Sequence, residues 1–143
     1  MSGLFRVEFE VPGAPRGKGR PRAAVIAGRA HVYTDSKTRS EEAVIRQFAE
    51  AAMDGRPPYE GAICLTMTAY RAIPTSFSRR KRADAETGYI APTTKPDADN
   101  YLKICDALNG ITWRDDSQVV TAIVHKRYSE RPRLHFHIHG LQP

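Results

Sequence analysis

Gly61-Ala62-Ile63-Cys64-Leu65-Thr66-Met67-Thr68-Ala69-Tyr70-Arg71-Ala72 is the most strand-like stretch of the chain. Ile63, Leu65, Met67 and Ala69 alternate with more polar residues, the period of two that puts one side of a strand against a core. It lies between Asp54-Gly55-Arg56-Pro57-Pro58, which breaks the chain, and Pro74, which ends the strand. Upstream, Leu4 to Val11 alternates in the same way, with Phe5, Val7, Phe9 and Val11 opposite Arg6, Glu8 and Glu10. His31-Val32-Tyr33 is a short strand candidate. A helix follows, capped by Thr34, Asp35 or Ser36 and running to about Met53, with Val44, Ile45, Phe48, Ala49 and Ala52 as its buried stripe.

Downstream, Ser76 to Gly88 is basic and polar and reads as a short exposed helix. Ala91 to Pro96 is an extended linker. Asn100 to Asn109 reads as a helix ended by Gly110. Ser117–Arg127 and Arg133–His139 read as an antiparallel hairpin joined by Tyr128-Ser129-Glu130-Arg131-Pro132. Strands interspersed with helices, without repeats or an internal boundary, predict a single domain over 1–143 of α/β (α+β) class, built on a mixed β-sheet with packed helices.

Hydrophobic residues make up 41% of the 143, enough for a core, and no apolar run reaches the roughly 20 residues of a membrane helix. MSGLFRVEFE lacks the apolar stretch of a secretory signal, and Cys64 and Cys105 sit in apolar company, read as reduced and buried. A cytoplasmic protein is expected. The formal charge of +6 favours an anionic partner, and its distribution is informative. Residues 1–40 hold eight Lys and Arg against three acids, and 71–82 add Arg71, Arg79, Arg80, Lys81 and Arg82 with no acid. Residues 97–116 reverse this, with five Asp against Lys103 and Arg114. Basic surface for backbone phosphates around an acidic knot for a cation is the charge pattern of a nuclease.

Asp97 and Asp99 are two apart and follow Pro96, which biases Lys95 toward extended backbone, where such a pair shares a face. Carboxylates converging at a helix start can hold Mg²⁺, with Asp115 or Asp116 as the third ligand. Lys103, one helical turn past Asp99, is placed to neutralise charge on a reacting phosphate. The competing structural reading makes Asp99 an N-cap, Asp99–Lys103 an ordinary i,i+4 pair and Asp115-Asp116 a turn. The basic loop Ala14-Pro15-Arg16-Gly17-Lys18-Gly19-Arg20-Pro21-Arg22 offers Lys18, Arg20 and Arg22 to backbone phosphates. His135, His137 and His139 share a strand face, better suited to solvent or phosphate than to chelating one ion. Trp113 reads as buried beneath the Asp115-Asp116 turn, with wedging into DNA as the alternative, and Tyr101 and Leu102 read as core.

Taken whole, Lys95-Pro96-Asp97-Ala98-Asp99-Asn100-Tyr101-Leu102-Lys103, Asp106-Ala107-Leu108-Asn109-Gly110 and Trp113-Arg114-Asp115-Asp116-Ser117-Gln118-Val119-Val120 resemble the RusA family of Holliday junction resolvases. Pro12-Gly13, Pro15, Lys18-Gly19-Arg20-Pro21-Arg22 and Tyr33-Thr34 resemble its phage and prophage members, so the likeness covers about residues 5–128. It implies that Asp97, Asp99 and Asp116 are metal-binding catalytic aspartates and Lys103 the catalytic lysine. It also implies a homodimer, using Mg²⁺ or Mn²⁺ and no nucleotide cofactor, that nicks four-way junctions symmetrically in recombination and repair. Two opposed nicks fit a two-fold dimer, with branched shape and phosphates as the recognition elements. One departure is that Pro96 stands where some members place Arg, which leaves any phosphate contact there to Lys95 or another cation. Arg79, Arg80 and Lys81 are further DNA-binding candidates. The alternatives are a DNA-binding protein without catalysis and a general metal-dependent nuclease. A PD-(D/E)xK nuclease lacks its acid-x-Lys at suitable spacing on a strand.

Overall fold

In the computed structural model the chain forms β1 (Arg6–Pro12), β2 (Arg22–Ile26), β3 (Arg29–Tyr33), α1 (Ser36–Met53), β4 (Ile63–Ala72), α2 (Arg79–Glu86) and α3 (Ala98–Lys103). Two 3₁₀ turns, Ile104–Leu108 and Asp116–Gln118, lead to β5 (Val119–Ser129) and β6 (Arg133–Gly140). The described residues are 4–17, 22–26, 29–33 and 36–141, with backbone alone for 22–26, 29–33 and 36–38.

A four-stranded mixed sheet runs in the order β1-β6-β4-β5, and β2 and β3 form a separate two-stranded antiparallel ribbon. β6 is antiparallel to both β1 and β4, whereas β4 and β5 are parallel. The hairpin expected from 117–127 and 133–139 is therefore corrected: both strands exist, but β4 lies between them. The reason is burial. Six of the ten β4 residues are buried and three more are half-buried, on both faces, while most of β5 is exposed. A strand covered on both sides gains most in the middle of a sheet, and β5 takes the edge.

Alternation sets the faces. Val7, Phe9 and Val11 of β1, Leu134, Phe136 and Ile138 of β6, and Leu65, Met67 and Ala69 of β4 line the covered face. The opposite face carries Glu8, Glu10, Arg133, His135, His137 and His139. Phe9 and Phe136 pair in register, with rings stacked at 4.9 Å. Over the covered face lie Ile45, Ala49 and Met53 of α1, Tyr101 of α3, and Ile104, Cys105 and Leu108 of the first 3₁₀ turn. The stripe expected on α1 is only partly right: Val44 and Phe48 are 39% and 37% exposed, because the spacing Ile45-Ala49-Met53 already fills the contact. Arg46 fastens α1 to the next layer through a 3.0 Å bond to the Ala107 carbonyl. The helix expected over 100–109 begins at Ala98 and tightens to 3₁₀ geometry from Ile104; Gly110, at φ 81°, closes the segment as expected. Cys64 and Cys105 are free and buried.

Parallel pairing of β4 with β5 has a functional consequence. Parallel neighbours cannot be joined by a tight turn, so the chain must return across the sheet before the second strand begins. Residues 73–118 make that return, and they include every candidate catalytic side chain. No helix of the described residues is long and apolar enough to cross a membrane.

On the open face, Arg133 donates to Glu10 at 2.7 Å, and this bond holds the Glu10 carboxyl below its ordinary value, with Arg131 adding charge at 3.4 Å. A carboxyl depressed in the folded state stabilises it above the ordinary pKa of 4.5 and loses that contribution as pH falls through the lower folded value. Glu10→Gln is expected to lower the urea midpoint near neutral pH and to match the parent in acid below the folded-state value. A deficit of equal size in acid would assign the effect to packing instead of charge.

Candidate active site

The crossover enters the site through the cis Lys95–Pro96 bond and places Asp97 at the N-cap of α3. The cap is made by the backbone: the Asp97 carbonyl accepts from Asn100 N at 3.1 Å and Tyr101 N at 3.3 Å. The Asp97 carboxylate makes no capping hydrogen bond. Asp99 lies inside the first turn, so the N-cap role considered for it falls to Asp97. The shared-face argument from extended backbone is likewise corrected, since residues two apart at a helix start do not face each other. Asp97 and Asp99 are both exposed. Lys103 Nζ is 3.8 Å from Asp99 Oδ2, with side chains 58% and 69% exposed. A pair so open is weak, and it leaves the ammonium able to swing toward a ligand.

The second half of the site is fixed more firmly. Trp113 is 1% exposed and donates its indole N–H to Asp116 Oδ1 at 2.8 Å. Trp113 therefore lies in the core beneath the turn, the first of its two sequence readings. The neighbouring aspartates divide their work. Asp115 caps the 3₁₀ turn, accepting from the Ser117 N–H at 3.1 Å and from the Ser117 hydroxyl; these bonds hold its carboxyl below the usual range. Asp116 keeps Oδ2 outside the Trp113 bond and lines a cleft of about 240 Å³ with Leu65, Leu102, Cys105, Asp106, Trp113, Val119 and Ala122. The Cys105 thiol at its base is pushed well above its ordinary pKa, first by burial and then by Asp106 and Asp116, so it is inert.

Gln118 ties this turn to the sheet. Its Nε2 donates to the carbonyls of Tyr59 at 2.7 Å and Gly61 at 2.9 Å, and its Oε1 accepts from Arg114 N and Asp115 N, both at 2.8 Å. One amide thus joins the segment before β4 to the two residues just ahead of Asp116. The capping box of Asp115 and Gln118 is local, but nothing in the sequence marks the carbonyl partners, which are 59 and 57 residues away.

The basic N-terminal loop meets the acidic segment at Gly17. A Cβ at that position would stand 2.9 Å from Pro96 Cβ and 3.1 Å from Asn100 Cβ, so only glycine allows this approach. Lys18 and Arg20 lie outside the described residues, and Arg22 is described only as backbone at the start of β2. Lys95 is exposed beside Asp97. Arg79, Arg80 and Lys81 are exposed on α2, which sits at the end of β5 remote from Asp116: Glu86 accepts from Glu130 N at 2.9 Å, and Gly88 abuts Arg127. The three histidines of β6 are on the opposite face from α3; His135 Nε2 is 2.6 Å from Glu8 Oε2. Among the described residues no three His, Cys, Asp or Glu side chains converge in a group able to hold an ion by themselves.

Exposed carboxylates on the crossover fit the charge pattern of a nuclease, and comparison with known families assigns the chain. The family model described as "Endodeoxyribonuclease RusA" matches residues 12–139. The chain belongs to the RusA family. This makes it a nuclease-family protein with the mixed α+β fold described above. It is also 40% identical over 134 residues to "Uncharacterized protein YqaN" of Bacillus subtilis (strain 168), covering 90% of this chain and 92% of that protein.

Gln118→Leu removes four hydrogen bonds and keeps the volume. At about 1 kcal/mol net for each bond, less relaxation, a loss of about 2–4 kcal/mol is expected. Equilibrium denaturation with urea measures it, and a change within about 0.5 kcal/mol would mean that water replaces the amide freely.

Proposed function

We propose that the protein is a Mg²⁺-dependent, structure-specific endodeoxyribonuclease that resolves four-way DNA junctions as a homodimer, by paired symmetric nicks, in recombination and repair. The observation that carries this reading is the packing of Gly17, directly after the exposed Arg16, on Pro96 and Asn100, which flank Asp97 and Asp99. Phosphates gathered by cations are thereby delivered to acids that would repel them without a metal ion.

The donor set fits Mg²⁺. Asp97, Asp99 and Asp116 offer hard oxygens, and the first has a carboxylate its helix cap does not use. Mg²⁺ keeps several waters and is commonly held by one or two carboxylates together with substrate phosphates, so no complete protein cage is needed. The ion, or Mn²⁺ in its place, would polarise the phosphate and lower the pKa of an attacking water. Asp97, Asp99 and Asp116 are proposed to hold it. Trp113 orients Asp116 through the indole N–H, and Lys103 stabilises charge on the phosphoryl oxygens as the bond to the leaving oxygen breaks. Lys18, Arg20, Arg22, Lys95, Arg79, Arg80 and Lys81 are proposed to hold the DNA arms through their phosphates. A second copy related by a two-fold axis supplies the opposed nick.

The test is cleavage of a synthetic immobile four-way junction and a matched linear duplex, with Mg²⁺ or with chelator. Expected are paired, symmetric nicks in the junction alone, abolished by chelator and reduced at least about 100-fold by Asp97→Asn or Asp116→Asn. Binding without cleavage under Mg²⁺ and Mn²⁺ would replace this reading with a DNA-binding role, and equal cutting of linear duplex with a general nuclease. Gly17→Val, which forces the basic loop off Pro96, is expected to weaken junction binding about tenfold with little change in melting temperature. Unchanged affinity would show that the contact does not position the loop.

A further inference from the structure

Arg71 on β4 and Lys126 on β5 have no place in the mechanism above, yet both reach the crossover. Arg71 Nη1 donates to the Thr94 carbonyl at 3.1 Å and to Thr94 Oγ1 at 3.0 Å. Lys126 Nζ donates to the same carbonyl at 2.8 Å. Lys126 pairs in register with Ala69, so both cations rise from the covered face of adjacent strands, two residues apart along the sheet. Their target is three residues before Asp97. From Ala91 to Pro96 no backbone–backbone hydrogen bond ties the chain among the described residues, and the first such bonds after it are those that Asp97 accepts to start α3. Pro92 is buried and Pro96 packs against Gly17, and the Thr94 carbonyl between them is the hydrogen-bonded anchor of the run that leads to the first two carboxylates.

Two cations on one neutral carbonyl is a costly arrangement unless negative charge lies nearby. Charge-assisted bonds of this kind are stronger than neutral ones and less tolerant of displacement. Asp97 and Asp99 are the exposed acids immediately downstream of that carbonyl.

We propose that Arg71 and Lys126 are positioning residues, which act through the Thr94 carbonyl to fix Asp97 and Asp99 for a divalent cation without themselves touching DNA. The inference rests on the reading of those aspartates as ion ligands. Removing a group that orients a metal ligand typically weakens metal affinity about 10–100-fold, and that range is expected for Arg71→Met combined with Lys126→Met.

The measurement is Mn²⁺ binding to the full chain without DNA, followed by the electron paramagnetic resonance signal of free Mn²⁺. Lys126→Met alone, on a half-exposed edge-strand position that tolerates substitution, is expected to show a smaller weakening. Arg71→Lys, which keeps a charged donor, should recover part of what Arg71→Met loses. In cleavage, the Mg²⁺ concentration for half-maximal rate should rise while the rate at saturating Mg²⁺ approaches that of the parent. Junction binding in chelator, and its slope against salt, should not change. Unchanged Mn²⁺ affinity overturns the proposal. If, in addition, junction binding weakens and the salt slope falls, the two cations are phosphate contacts instead. Asp97→Asn in the same Mn²⁺ assay separates the premises: unaltered binding there defeats the ion-site reading itself, and this proposal with it.

Discussion

The parallel register between β4 and β5 governs the rest of the structure. Each strand of a parallel pair starts at the same end of the sheet, so the chain between them must cross the full length of a face. Here that face is the apolar one, already partly covered by α1, and the crossing segment is drawn onto it by Tyr101, Ile104, Leu108 and Trp113. At about 1.5–3 kcal/mol for each large apolar side chain fully buried, those four side chains hold the crossover down. The charged residues between them, Lys103 and Asp106, are left at the surface. An acidic strip on a firm apolar footing follows from this one topological constraint.

The footing does not fix every carboxylate equally. Asp116 stands on a buried indole, next to a turn that Gln118 joins to the carbonyls before β4. Asp97 and Asp99 stand at the start of a helix of six residues, too short to be stable without its packing. The site therefore joins one rigid acid to two whose placement depends on what tethers their approach. Such a division suits a cation that keeps part of its water and completes its shell with phosphate oxygens.

Charge is arranged to match. The N-terminal segment approaches the acidic crossover where Gly17, next to the exposed Arg16, packs on Pro96 and Asn100. The opposite face of the sheet is different in kind. Glu8 contacts His135 there, and the ion pairs from Glu10 to Arg131 and Arg133 neutralise charge locally, which suits a solvated surface and not a polyanion track.

The sequence by itself determined a good deal: the period-two strands, the segregation of basic and acidic segments, the burial of Trp113, and the residue pattern of the RusA family. Each of these is local, written in spacing, composition or an unbroken motif. Tertiary structure alone decided which strands are neighbours, since alternation assigns a strand its faces but says nothing of its partners. For that reason β4 separates two strands that read as a hairpin. It also decided which aspartate of the Asp115-Asp116 pair caps a turn and which faces the cleft, because that choice depends on a hydroxyl two residues on and an indole held in the core. The side of α1 that turns outward, taking Val44 and Phe48 with it, was set by the shape of the sheet beneath. The convergence of Arg71 and Lys126 on Thr94 was invisible for the same physical reason: the partners are 23 and 32 residues apart in the chain, and only the crossover brings them together.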